Sequence, residues 1–211
     1  MEILCFNELE STQIYLIEKI KNKTYFAPLA IMAKEQTKGV GSRDNSWEGG
    51  KGNLFFSVAI RLEDLPKDLP LNSASIYFSF IMKQVLLKYT DDIWLKWPND
   101  LYHNNSKIAG TITKKNDNIL FCGMGINLQK NSNSFEALNI DIEPLFLLKK
   151  YLCELEEYPS WKQIFSQYRI EFDRSKEFFT HINNKYKSLE NAILSEDGSL
   201  IIDNKRVYSI R

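Results

Sequence analysis

Trp94-Leu95-Lys96-Trp97-Pro98-Asn99-Asp100 decides how this chain is read, because it combines a strand, an abrupt stop and one cation within seven residues. Side chains alternate across a strand, so Ile93, Leu95 and Trp97 share one face while Trp94 and Lys96 share the other. Pro98 removes a ladder donor and Asn99-Asp100 favours a turn, which ends the strand. A lysine between two tryptophans is costly to bury unless its ammonium meets an anion or stays wet, and the heptapeptide holds no carboxylate before Asp100. Two readings of Lys96 stay open at this point. It is aimed at a ligand anion, or it is an edge lysine whose stem runs out past the indoles.

Working outward, residues 53–62 are aromatic and β-branched enough for a central strand. Residues 72–89 place Ile76, Phe80, Val85 and Leu86 at the spacing of a long helix packed on a sheet. Past the lysine strand, a turn over 99–106 leads into a strand at 107–113, and Asp117-Asn118 turns the chain into 119–127, giving an antiparallel meander. Strands are expected at 2–6 and 28–34. Helices are expected after Ser11-Thr12, through Ile14, Leu16, Ile17 and Ile20, and again at 142–157 and 161–172. Ser11 and Thr12 read as caps of the first of these helices. Beyond about Phe178 short alternating stretches surround Glu196-Asp197-Gly198, and so small a β unit must dock on the main body to be stable.

Between the second and third strands lies a polar segment, Glu35 to Trp47, without hydrophobic period. Gly39, Gly41, Gly49, Gly50 and Gly52 crowd around it although the chain has only 9 glycines. Such backbone offers N–H groups to an anion, and Arg43 adds a bidentate clamp. The segment has neither the Lys-Ser/Thr ending of a P-loop nor the dinucleotide fingerprint, so a plain polar loop is the competing reading. Gly123 and Gly125, near the end of a strand, imply a close backbone approach or a bulge.

The bulk numbers narrow the function. In 211 residues, 27 Lys+Arg balance 27 Asp+Glu, so no protein-wide field draws in nucleic acid or an anionic membrane. Cys5, Cys122 and Cys153 form no CxxC pair and read as reduced cytoplasmic thiols. His103 and His181 have no metal-ligand spacing, so no His/Cys zinc site is expected. No export signal or membrane-spanning run is visible.

Taken together and in order, several stretches resemble the biotin protein ligases. Glu10-Ser11-Thr12 is similar to that family's acidic-Ser-Thr segment, and 36–47 to its glycine-rich adenylate loop. Residues 52–57 resemble the strand that follows, and 95–110 the Lys-Trp-Pro-Asn-Asp signature with a downstream Lys-x-Ala-Gly; 123–127 completes the set. The resemblance implies an α+β fold of the class II aminoacyl-tRNA synthetase and biotin synthetase type. That fold is a mixed, largely antiparallel sheet with flanking helices over 1–177, plus a small C-terminal SH3-like β unit over 178–211.

Carried over residue by residue, it implies that Ser11, Thr12, Gln13 and Gln36 bind biotin, with Val40, Gly41 and Ser42 lying over the intermediate. Gly39, Gly41, Arg43, Trp47 and Asn127 face ATP or the adenylate. Lys96 contacts carboxylate and phosphate oxygens, and Lys96 and Arg43 are the catalytic pair. The implied reaction uses biotin and ATP, with Mg²⁺ arriving on the nucleotide, and modifies a lysine of a biotin carboxyl carrier protein. It needs no enzyme nucleophile, in keeping with a sequence that shows no nucleophilic triad. Val40, Ser42 and Asn45 depart from the basic residues common in the family's loop, and the catalytic segment starts too early for an N-terminal DNA reader. No nucleic-acid or membrane partner is therefore expected, and a homodimer is compatible with the reading. Lipoate or octanoate ligases and transferases of the same fold, and a non-enzymatic ligand-dependent interaction protein, are the competing functions.

Overall fold

The computed structural model describes residues 1–42, 46–47, 50–130, 136–182 and 185–208. In chain order its first strands and helices are β1 (Glu2–Leu9), α1 (Thr12–Lys21), β2 (Leu29–Gln36), β3 (Gly39–Val40), β4 (Ser46–Trp47), β5 (Leu54–Arg61) and α2 (Ala74–Leu86). The meander follows as β6 (Ile93–Lys96), β7 (Asp100–His103), β8 (Ser106–Asn116) and β9 (Ile119–Ile126), then α3 (Pro144–Glu156) and α4 (Trp161–Glu171). The seven-stranded sheet has the order β1-β2-β5-β9-β8-β7-β6, with β1 parallel to β2 and every other pairing antiparallel. β5 lies in its interior and is buried along nearly its whole length, which is why residues 54–60 are apolar on both faces apart from Ser57.

The two faces are covered unequally. On one, Met32, Phe56, Val58, Leu95, Trp97 and Leu101 join residues of α2, α3 and α4 in the main core. On the other, α1 lays Leu16 against Leu29, Ile31, Ala59 and Phe121. Because α1 is short, it covers only part of this face, and the remainder carries the cavity described below.

The stretch 99–106, expected as a turn, holds β7, which pairs with both β6 and β8. Pro98 and Asn99 suffice for the first reversal, and Asn104, at φ 52°, serves the second. The polar segment before β5 contains a small antiparallel pair, β3 on β4, with Gly39 opposite Trp47.

After α4 come β10 (Phe179–Ile182), β11 (Lys185–Ser188), β12 (Ile193–Leu194), β13 (Leu200–Ile202) and β14 (Lys205–Val207). The sequence reading lacks β14. Its turn is Asp203-Asn204, both at positive φ, the conformation a tight hairpin requires. Leu189, Ala192, Leu200 and Ile202 bury themselves in the main core. The turn at Glu196-Asp197-Gly198 accepts three hydrogen bonds from the main body: Trp161 Nε1 to the Glu196 carbonyl at 2.8 Å, Ser73 Oγ to that of Asp197 at 2.5 Å, and Trp97 Nε1 to that of Gly198 at 2.9 Å.

Candidate functional site: a cavity between the first turn of α1 and the β7–β8 hairpin

The cavity, about 440 Å³, lies on the α1 face of the sheet beneath the β3–β4 pair. Its polar end is built by the start of α1. Ser11 is extended (φ −153°, ψ 127°) and its Oγ accepts from the Ile14 N–H at 3.4 Å, an ordinary N-cap that also lines the cavity. Thr12 donates to Gln36 Oε1 twice, through its backbone N–H at 2.7 Å and its Oγ1 at 3.0 Å. Since the Thr12 hydroxyl proton goes to Gln36, the 2.9 Å contact with Ser57 has Ser57 as donor. Gln13 is buried with its Oε1 unpartnered, and it too lines the cavity.

The floor is where β8 and β9 give up side chains. Gly110 and Gly125 are register partners, and the Trp47 indole lies over both. A Cβ at Gly125 would come within 2.2 Å of Trp47 Nε1, and one at Gly110 within 2.9 Å of its Cζ3. Trp47 Nε1 is buried without a partner. Val40, Gly41, Ser42 and Ser46 complete the roof. Gly39, beside Trp47 in the β3–β4 pair, is not among the lining residues; a Cβ there would lie 2.3 Å from the Trp47 carbonyl oxygen.

The far end is charged. Lys107 Nζ sits 2.8 Å from Asp100 Oδ1 and 5.5 Å from the centre of the Trp47 ring. Asn99 and Asn127 stand beside this pair. The Asn99 amide nitrogen donates to the Thr111 carbonyl at 2.7 Å, and that of Asn127 to the Glu136 carbonyl at 3.2 Å. Among the described lining residues Lys107 is the cation and Asp100 the carboxylate.

Ser11, Thr12, Gln13, Gln36, Val40, Gly41, Ser42, Trp47 and Asn127 are thus brought together around one cavity. Lys96 is not among its lining residues. The register Lys96, Asp100, Gly110, Gly125 puts all four on the cavity face. Lys96, however, is two strands from Gly110, roughly 10 Å at 4.8 Å per strand. Its ammonium stands over Tyr102 and Phe178, 5.6 and 5.5 Å from the ring centres. Alternation therefore gave its face correctly, and the intervening strand keeps it at the sheet edge. Arg43, and Asn45 with it, lie outside the described residues.

Lys107 escaped the sequence reading for a definite reason. Strict alternation sets positions 107 and 110 on opposite faces. The β7–β8 register instead shifts between Leu101 and Tyr102, so Ile108 and Ala109 both enter the main core and Lys107 emerges on the same side as Gly110. Such bulges commonly redirect a side chain beside a functional site. No signal at positions 107–110 alone announces this one.

Comparison with known proteins agrees with this geometry. The profile of the Biotin/lipoate A/B protein ligase family matches residues 5–131, which holds α1, the β3–β4 pair and the β7–β9 floor. The chain belongs to that family. Among solved members, the biotin acetyl coenzyme A carboxylase synthetase of Helicobacter pylori, with bound biotinylated ATP, is 40% identical with a TM-score of 0.93. That likeness covers 98% of this chain and 99% of that one. Biotin protein ligase from Aquifex aeolicus, in complex with biotin and ATP, is 20% identical with a TM-score of 0.71 and covers 100% and 96%, a likeness of fold. The bifunctional ligase/repressor BirA of Escherichia coli is 32% identical over 127 residues, 57% of this chain and 38% of that protein. The match thus spans well under two thirds of that curated relative. Family membership also accounts for the mixed, largely antiparallel sheet and its flanking helices.

Proposed function

We propose that this protein activates biotin with ATP to biotinyl-5′-AMP and transfers the biotinyl group to a lysine amine of a biotin carboxyl carrier protein. The observation that carries the reading is one continuous cavity with a hydroxyl and amide cluster at one end and Lys107 at the other. That arrangement suits a ligand with a hydrogen-bonding head, a tail and an anionic terminus. Ser11, Thr12 and Gln36 receive the head. Lys107, rather than Lys96, meets the carboxylate and the α-phosphate. Trp47 and Asn127 border the nucleotide, and Arg43 is retained as a loop cation acting on it.

Two displacements follow. The biotin carboxylate attacks the α-phosphorus of ATP and expels pyrophosphate; the carrier's amine then attacks the acyl carbon and expels AMP. Neither step requires an enzyme nucleophile, so catalysis rests on positioning and on stabilising charge as it develops at phosphorus. Among the described residues no cluster of three or more His, Cys, Asp or Glu side chains is placed to hold a metal. Mg²⁺ enters on the nucleotide, held by phosphate oxygens and water. Free Cys5, Cys122 and Cys153 support a reducing, cytoplasmic setting.

Pyrophosphate exchange into ATP, measured with biotin, lipoate, octanoate and no acid, tests the reading. Exchange with biotin, followed by labelling of a carrier domain, is expected. Exchange with octanoate or lipoate but not biotin transfers the assignment to the sister reactions, and exchange with none leaves a binding protein.

A further inference from the structure

We infer that Ser79 of α2, with Ser75 one helical turn before it, is a positioning residue for the reaction, fixing the 98–99 reversal and Thr111 and through them the stations of Asp100 and Lys107. The inference rests on the biotin reading above, in which Lys107 meets the reacting oxygens. α2 runs through the main core, where Ile76, Phe80 and Val85 pack, yet Ser75 and Ser79 within it are 1% and 0% exposed. Buried hydroxyls are costly unless bonded, and residues four apart share a helix face. Ser79 Oγ donates to Thr111 Oγ1 at 2.8 Å, and Ser75 Oγ to the Pro98 carbonyl at 3.4 Å. Asn99 then holds Thr111 by its backbone. Its amide nitrogen donates to the Thr111 carbonyl at 2.7 Å, and its carbonyl accepts from the Thr111 N–H at 3.0 Å.

What these bonds fix is register. Asp100 faces Gly110 and Leu101 faces Ala109, but Tyr102 faces Lys107, so Ile108 is the residue skipped. Past the skip, Gly110 lies on the cavity side beneath Trp47 and the Thr111 hydroxyl on the α2 side. Without it, Asp100 would pair with Ala109, Gly110 would turn toward α2 and the Thr111 side chain toward the cavity, because a slip of one residue exchanges the faces of a strand. That arrangement strips Ser79 Oγ of its buried partner. It also sets the Ala109 methyl under the indole, where a Cβ would come within 2.9 Å of Trp47 Cζ3. Buried polar contacts are best attested in this use, the fixing of register. The α2 hydroxyls therefore act on a lysine across the sheet from them, holding Lys107 Nζ 2.8 Å from Asp100 Oδ1 on the wall of one cavity.

The test separates geometry from stability. Biotin-dependent pyrophosphate exchange and urea unfolding are measured for wild type, Ser79→Ala, Thr111→Val, the double variant, and Ser73→Ala, whose lost bond goes to the Asp197 carbonyl in the C-terminal β unit and not to the site. Ser79→Ala and Thr111→Val each leave one buried partner unbonded and lower the urea midpoint, while the double variant, apolar on both sides, regains most of it. The kcat of Ser79→Ala is expected to fall by about ten- to a hundredfold and to stay low in the double variant, with KM for biotin within about threefold of wild type because the hydroxyl and amide end is untouched. Ser73→Ala should lose stability with kcat unchanged. A double variant whose kcat returns with its stability overturns the inference. So does a Ser73→Ala that loses as much kcat as Ser79→Ala, or a Ser79→Ala that keeps the wild-type kcat. Wild-type protein that shows no exchange with biotin defeats the biotin reading and the inference together, an outcome visible before any variant is made.

Discussion

Replacing Lys107 and Lys96 separately by alanine distinguishes the lysine at the cavity from the lysine at the sheet edge. An anion about 4 Å from the Lys107 ammonium gains roughly 4 kcal/mol at an effective dielectric near 20. The side chain is 42% exposed, so water screens part of that. Losing one such contact in a transition state typically lowers the rate by ~10²–10³. Lys107→Ala also removes the counterion 2.8 Å from Asp100, leaving a carboxylate directed at an anionic ligand, so the loss should sit at the upper end of that range. Lys107→Ala with Asp100→Asn should recover part of it. Lys96→Ala loses the cation–π contacts with Tyr102 and Phe178, about 0.5–1 kcal/mol each at exposed sites. It should lower thermal stability slightly while exchange stays within about threefold of wild type. Biotin-dependent pyrophosphate exchange, with Tm recorded for each variant, is the assay. Near-normal exchange in Lys107→Ala beside abolished exchange in a folded Lys96→Ala refutes the assignment.

Glu171 supplies a pH signature. Burial raises its carboxyl pKa, against the lowering effects of Lys83 and the Leu95 N–H. Ionising it therefore weighs against the fold, a cost absent below the usual carboxylate range and fully present once pH exceeds the raised folded value. The Tm advantage of wild type over Glu171→Gln should narrow as pH rises through that window; a gap that widens is incompatible with the raised pKa. Trp97→Phe unpairs the Gly198 carbonyl and should cost about 1–3 kcal/mol in urea unfolding, whereas a loss below about 0.3 kcal/mol means water replaces the indole. Ser42, in the roof, is one of the positions where the family resemblance implies a basic residue. Ser42→Arg should slow biotinyl-5′-AMP dissociation by about ten- to a hundredfold and reduce labelling of bystander lysines. Unchanged dissociation shows that position 42 does not limit retention.

Most of the sheet was legible because its signals are local. Apolar runs such as 54–60, the proline stop after Trp97 and the Asp117-Asn118 turn each determine backbone over a few residues. The polar end of the cavity came from the family resemblance instead, since the residues by themselves read Ser11 and Thr12 as caps and Gln36 as part of a loop, whereas Gln36 closes β2. What was not legible depends on register. Whether Lys96 or Lys107 reaches the cavity is decided by how many strands intervene and by one skipped residue in the β7–β8 ladder. Positions 203–207 failed for a different reason, because three residues of strand are too few to show a period.

The indole lying on Gly110 and Gly125 makes roof and floor one mutational unit. A methyl group at Gly125 meets Trp47 before it meets any ligand, so the pair is free to diverge only jointly. In relatives of this chain a larger residue at position 125 should accompany a smaller one at 47. Directed evolution aimed at the floor alone should return mostly proteins whose lid no longer seats, whatever ligand was selected for.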